Sequence, residues 1–153
     1  MKRFSMVLML LVSSFSANAI TAKEACEELK PVVKDMQSQT PMDIDYMTTL
    51  TGAQAIYAAS ACLLNYNYVI KSDVLLKEMT DTNDLSIEEN LDFLMTEEGK
   101  ETLQSIFDNI ASNAAQTAFQ PFAEIKGMKI TYFYAFDDQK IPSVMATVME
   151  NGF

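Results

Sequence analysis

The stretch from Tyr46 to Ile70 reads YMTTLTGAQAIYAASACLLNYNYVI, twenty-five residues without a charge, bounded by Asp45 and Lys71. From Gly52 onward it is rich in Ala, with Ile56, Tyr57, Leu63, Leu64, Val69 and Ile70 spread round the helical wheel. A helix that is apolar on every side is normally buried on every side, so this reading predicts a central helix wrapped by the rest of the chain. The length would also cross a bilayer. However, Thr48, Thr49, Thr51, Gly52, Gln54, Ser60, Asn65 and Asn67 are too many polar or small groups for a span facing lipid alone. The expectation is a buried helix and no stable membrane insertion.

Working outward, residues 1–19 carry the marks of a secretory signal peptide. Lys2 and Arg3 form a basic start, Met6 to Val12 an apolar core, and Ala17-Asn18-Ala19 a small-x-small cleavage site. Cleavage there leaves residues 20–153 as a single domain, exported to the periplasm. That portion has nine lysines, no arginine and twenty-one acidic residues, a net charge of −12. Such a field repels nucleic acid and anionic lipid and attracts a basic protein. In an oxidising compartment Cys26 and Cys62 are expected to pair. They would tie the first helix to the central one across 37 residues counted inclusively.

The flanking segments read as amphipathic helices. Thr21 and Glu24 form a capping box ahead of Ala22, Ala25, Cys26, Leu29, Val33 and Met36, with Pro31 expected to kink or divide that helix. Thr40 and Pro41 look like the start of the next segment, and Thr51 with Gln54 offers a fresh cap for the central helix. Ser72 is placed to cap a short helix over Val74, Leu75, Leu76 and Met79, and Thr80 to Asp84 (TDTND) reads as a polar loop. Ser86 and Glu89 form another capping box, opening a helix with Ile87, Leu91 and Leu94 on one side. Gly99 marks a joint. From Glu97 to Phe119 the residues Leu103, Ile106, Phe107, Ile110, Ala114 and Phe119 make one stripe, closed by Pro121.

After Gly127 the period changes to two. Ile130, Tyr132, Tyr134 and Phe136 alternate with Thr131, Phe133 and Ala135, and Ser143 to Met149 alternates again beyond a DDQK turn, with a final short helix over Pro142 to Met149 as the alternative. The predicted fold class is therefore mainly α, a compact helical bundle around an uncharged helix with a C-terminal β-hairpin.

The chemistry available is narrow. The chain has no His, no Arg after residue 3 and no glycine-rich phosphate loop, which removes imidazole zinc sites, most nucleophilic triads and arginine phosphate clamps. The reading is a non-enzyme without metal or cofactor. Asp81-Thr82-Asn83-Asp84 departs from a calcium loop at the required glycine and at the closing glutamate, where Ser86 and Asp92 stand. It reads as a loop feeding a capped helix. The suggestive surface is aromatic and acidic: Tyr132, Phe133, Tyr134 and Phe136 followed by Asp137 and Asp138. Aromatic side chains dominate interface hot spots, and carboxylates steer cationic partners. Tyr132, Tyr134, Asp137, Asp138, Asp81 and Asp84 are thus the candidate partner-binding residues.

Taken together, the signal peptide, small size, acidic charge and Cys26/Cys62 pair resemble the periplasmic immunity proteins that protect bacteria from type VI secretion effectors. The resemblance implies a protein-binding inhibitor that occludes the active cleft of a basic, cell-wall-degrading hydrolase. It transfers no functional residue. A periplasmic chaperone or secretion-assembly factor and a small-ligand carrier are the alternatives, and homodimerisation through the hairpin edge or the uncharged segment is compatible with each.

Overall fold

The computed structural model describes residues 20–150; the signal-peptide reading lies outside them. The uncharged stretch is a β-hairpin, not a helix. Strands β2 (Thr48–Ala58) and β3 (Ala61–Ile70) pair antiparallel, from Thr48 opposite Ile70 to Ala58 opposite Ala61. Their composition explains this: Thr, Ile, Val, Leu and Tyr pack well on a pleated surface. Along β3, Cys62, Leu64, Tyr66, Tyr68 and Ile70 alternate with Leu63, Asn65, Asn67 and Val69, the period of a strand. The two-residue turn is Ala59-Ser60, with φ of 50° and 65°. Such turns normally advertise themselves by Asn-Gly or Asp-Gly, and this one does not. The break expected at Thr51-Gly52 is a bulge in β2, where Gln37 Oε1 accepts the Ala53 amide at 2.8 Å.

The fold class is therefore α+β, with a five-stranded mixed sheet in the order β1-β2-β3-β4-β5. Strand β1 is only Met42–Asp43, and Thr40-Pro41 leads into it through a cis peptide instead of opening a helix. The expected C-terminal hairpin is present as β4 (Met128–Phe136) and β5 (Val144–Glu150). It is not isolated: β4 pairs parallel with β3, in register from Cys62 opposite Met128 to Ile70 opposite Phe136. A parallel pair needs a crossover, and three helices supply it. These are α2 (Ser72–Asn83), α3 (Ile87–Met95) and α4 (Glu97–Ala118).

All the helices that touch the sheet lie on one face. Helix α1 (Ala22–Ser38), capped by Thr21 and Glu24 as expected, runs unbroken through exposed Pro31 and packs on β2 and β3. Helix α4 packs on β5, and Phe107 and Phe119 reach the tyrosines of β3 and β4. Its buried stripe is Leu103, Phe107, Ala111, Ala115 and Phe119, a strict four-residue step. Ile106 and Ile110, expected on that stripe, stand 43% and 46% exposed. The Cys26–Cys62 bridge forms with both residues fully buried and Cα atoms 5.4 Å apart. It joins α1 to a sheet strand, not to a second helix.

Helices α3 and α4 meet at Thr96, whose hydroxyl accepts the Gly99 amide at 3.0 Å. A Cβ on Gly99 would sit 1.9 Å from the Phe93 carbonyl oxygen, a backbone atom. Gly99→Ala is expected to lower stability by about 3 kcal/mol through overpacking. Gly52→Ala, which meets the movable Asn67 side chain at 3.2 Å, should cost clearly less. Breaking the bridge by Cys26→Ala with Cys62→Ala should cost about 3.8 kcal/mol on loop-closure arithmetic. Denaturant unfolding of the three variants checks both expectations.

Candidate functional site

Two surfaces differ from the remainder, and the first is a corner built by α2 and α3. The segment expected as a TDTND loop is mostly helical: α2 continues to Asn83, and Asp84 ends it in the left-handed conformation (φ 60°). Ser86 and Glu89 then close the expected capping box. Beneath the turn lies Asn90, fully buried. Its amide nitrogen donates to Thr80 Oγ1 at 3.1 Å and to the main-chain oxygens of Leu85 and Ser86 at 3.3 and 3.1 Å, while its oxygen accepts from Asn83 at 2.7 Å. One buried amide thus fixes both helix ends and the turn between them.

The same turn presses Leu85 and Ile87 outward, and Met95 follows at the far end of α3; they are 39%, 51% and 48% exposed. Ile87 is expected in the core by its spacing to Leu91 and Leu94, but Asn90 and Leu94 define the buried side. Between Lys77 and Lys100 the chain has eight carboxylates and no base. Among them are Asp81 and Asp84, two of the candidate partner-binding residues. Three exposed apolar side chains thus stand within a run of carboxylates.

The other candidates are distributed elsewhere. Tyr132 and Tyr134 face inward and are buried. Tyr132 packs edge-on to Tyr66 at 5.5 Å, and Tyr134 stacks on Tyr68 at 5.3 Å and lies 4.5 Å from Phe107. The accessible aromatic side chain of β4 is Phe133. Burial pushes the Tyr132 phenol up to about 12 and raises Tyr66, Tyr68 and Tyr134 further. Asp137 accepts the Ser72 amide at 2.8 Å, and the Asp138 amide donates to the Ser72 hydroxyl at 3.0 Å. The Ser72 hydroxyl and amide hold the Asp137 carboxyl below the usual carboxylate range. Asp137 therefore caps α2 from another element, in place of the cap expected from Ser72 itself. Asp137 and Asp138 stand at the first turn of α2, and Asp81 and Asp84 at its end, about 18 Å away at 1.5 Å per residue.

The second surface is the sheet face turned away from the helices. Ile56, Leu63, Val69, Phe133 and Met145 point there, among Gln54, Asn65, Asn67, Thr131 and Thr147. Ile56, Phe133 and Met145 are 45%, 40% and 60% exposed. Between Asp43 at the β1 margin and Lys129 at the start of β4, no charged side chain interrupts it. No residue of either surface was distinguishable by motif. The alternation of β3 was the available signal for the second.

No family model and no curated protein matches the chain. A solved structure that it resembles, of a Pseudomonas aeruginosa protein described as secreted, shares 11% identity at a TM-score of 0.40, covering 84% of this chain and 94% of that one. Among the described residues no helix is long and apolar enough to cross a membrane.

The tyrosine cluster generates a pH expectation. A phenol whose folded value is raised above the unfolded one stabilises the fold below about pH 10. That contribution is lost as the pH rises past the unfolded value and through the folded one. In a titration followed at 295 nm, the phenolate signals of Tyr66, Tyr68, Tyr132 and Tyr134 should emerge only near pH 12 or above, together with loss of the far-ultraviolet signal.

Proposed function

We propose that the protein is an exported binding protein that neutralises another protein by docking its acidic corner into a basic cleft. The observation that supports this reading is the set of exposed Leu85, Ile87 and Met95 within the lysine-free, eight-carboxylate segment. Apolar tips supply desolvated contact, and the carboxylates speed encounter with a cationic surface and fix its register. Asn90 holds the corner in one arrangement before binding, which lowers the entropy lost on association. No step of the action requires a nucleophile, a metal or a cofactor. The partner is prevented from working because its cleft is filled.

The signal-peptide pattern and the Cys26–Cys62 bridge suit a protein acting in the periplasm. The narrower form of the proposal is an immunity protein against a cell-wall-degrading type VI effector. A basic cleft is what a hydrolase of anionic wall polymers needs, and an acidic corner is its complement.

The test is capture of the disulfide-bonded protein's partner from lysate of the source organism, identified by mass spectrometry and followed by titration with purified partner. Asp84→Lys with Glu88→Lys should weaken binding at least about a hundredfold, mainly by slowing association. Ile87→Ala should weaken it about tenfold. Affinity should fall as salt is raised. Deleting the gene should leave cells open to killing by their siblings. A partner that binds the charge-reversed variant as tightly as the parent would refute the assignment of the corner. Capture of many unfolded envelope proteins, without sibling killing, would refute neutralisation altogether.

A further inference from the structure

The open sheet face departs from the charge of the molecule that bears it. Fourteen of the twenty-one acidic residues lie in α1 to α4, all on the other side of the sheet or beyond it. The face carries no charged residue between Asp43 at one margin and Lys129, whose strand partner is Glu150, at the other, and Phe133 and Met145 pair across β4 and the edge strand β5. A basic partner gains nothing from such a face, because the carboxylates that would attract it are elsewhere. A second copy of the same acidic chain gains a great deal, since this is the direction from which like-charged copies can approach. We propose that the open face is a self-association surface, on which two copies pack sheet to sheet.

Distances decide whether charge repulsion forbids this. Stacked sheets sit about 10 Å apart, and a helical layer of about 10 Å lies outside each. The two acidic surfaces would then be about 30 Å apart, several Debye lengths of roughly 8 Å at physiological salt. Repulsion is screened there, while the apolar contacts are made at the centre. Four strands about 4.8 Å apart and about 25 Å long give a face of about 500 Å2, whose exposed large apolar side chains are Ile56, Phe133 and Met145. Two such faces bury about 1,000 Å2 together, the lower end of what a specific interface needs. The β5 edge offers less. Gln104 of α4 donates to the Met145 carbonyl at 3.0 Å, which ties that strand to its own helix.

The association has its own salt signature. Because the contact is neutral and the bodies are acidic, added salt removes repulsion without weakening the interface. Self-association should therefore tighten with salt, opposite to the basic partner's binding at the corner, so that failure of either reading leaves the other standing.

Sedimentation equilibrium of the disulfide-bonded protein, from about 1 μM to about 1 mM, provides the test. The expected result is a mass that doubles with concentration, at lower concentration in about 0.5 M salt than in about 0.05 M. Phe133→Glu and Met145→Glu should each raise the dissociation constant at least about tenfold, since each buries a charge without a partner. Ile110→Glu, on an exposed helical position, should leave it within about twofold. Circular dichroism confirms that the variants fold. Met145, 60% exposed, carries the test where Phe133→Glu does not. A monomer throughout the range overturns the proposal, as does association that Met145→Glu leaves intact or that Ile110→Glu weakens equally. A monomeric chain in which Met145→Glu abolishes binding of a foreign protein also overturns it, and assigns the face to that partner.

Discussion

The in-register parallel pairing of β3 with β4 is the constraint on which the remaining architecture depends. It sets Cys62, Leu64, Tyr66, Tyr68 and Ile70 beside Met128, Ile130, Tyr132, Tyr134 and Phe136, one continuous apolar face. A slip of one residue would turn every one of these side chains to solvent, so register and core are specified together. The face demands a cover, and α1 and α4 supply it, one tied by the Cys26–Cys62 bridge and the other by Phe107 and Phe119. Because the two strands run the same way, the chain must travel back between them. The stretch from Lys71 to Gly127 does so and carries the acidic corner. Gly127, at φ 81°, brings the returning chain in beside Ser60, and its carbonyl accepts the Cys62 amide at 2.7 Å.

Much of the local structure was legible, and the reason is that it is local. Thr21/Glu24 and Ser86/Glu89 cap the helices they appear to cap, because a capping box involves only four adjacent residues. The two C-terminal strands are legible for the same reason, their two-residue period showing in the sequence, although their pairing shifts register between Ile130 and Thr131. The reading of Tyr46 to Ile70 failed where tertiary pairing overrides composition. Ala53, Ala55, Ala58 and Ala61 favour a helix when taken alone, but each has a partner across the hairpin, and backbone pairing with β4 adds a second ladder along β3. Ala59-Ser60 adopts positive φ without the residues that usually signal it. A stretch of uncharged residues fits a helix buried on all sides and a hairpin buried on one. Only the two-residue period of LNYNYVI separates them.

The candidate residues divided for a related reason. Tyr132 and Tyr134 read as aromatic anchors beside Asp137 and Asp138, but nothing in a strand's own sequence says which of its faces will be covered. The helices cover the even-numbered face of β4, so the tyrosines became core and Phe133 the accessible ring. Asp81 and Asp84 lie on the acidic corner, Asp81 inside helix α2 and Asp84 at its left-handed end, where a loop was expected. The exposed Leu85, Ile87 and Met95 could not be read from periodicity, which assigns Ile87 to the buried side of α3. A buried asparagine at position 90 decides otherwise.

Helix α2 connects these observations. At its start Asp137, from the end of β4, accepts the Ser72 amide; at its end Asn83 bonds to the buried Asn90 of α3. Each tie is polar and directional, the first across 65 residues and the second across seven, so neither end of α2 can move without leaving a hydrogen-bonding group unsatisfied, at a cost of about 1–3 kcal/mol. The acidic corner is consequently held in fixed relation to the sheet, and the sheet's neutral face points away from the helices. One molecule thereby offers one acidic and one largely uncharged surface in fixed relation to each other. A chain of net charge −10 that scattered its carboxylates evenly would repel its own kind from every side. Segregating most of them onto the helical layer leaves the sheet face as the side on which like-charged copies repel least.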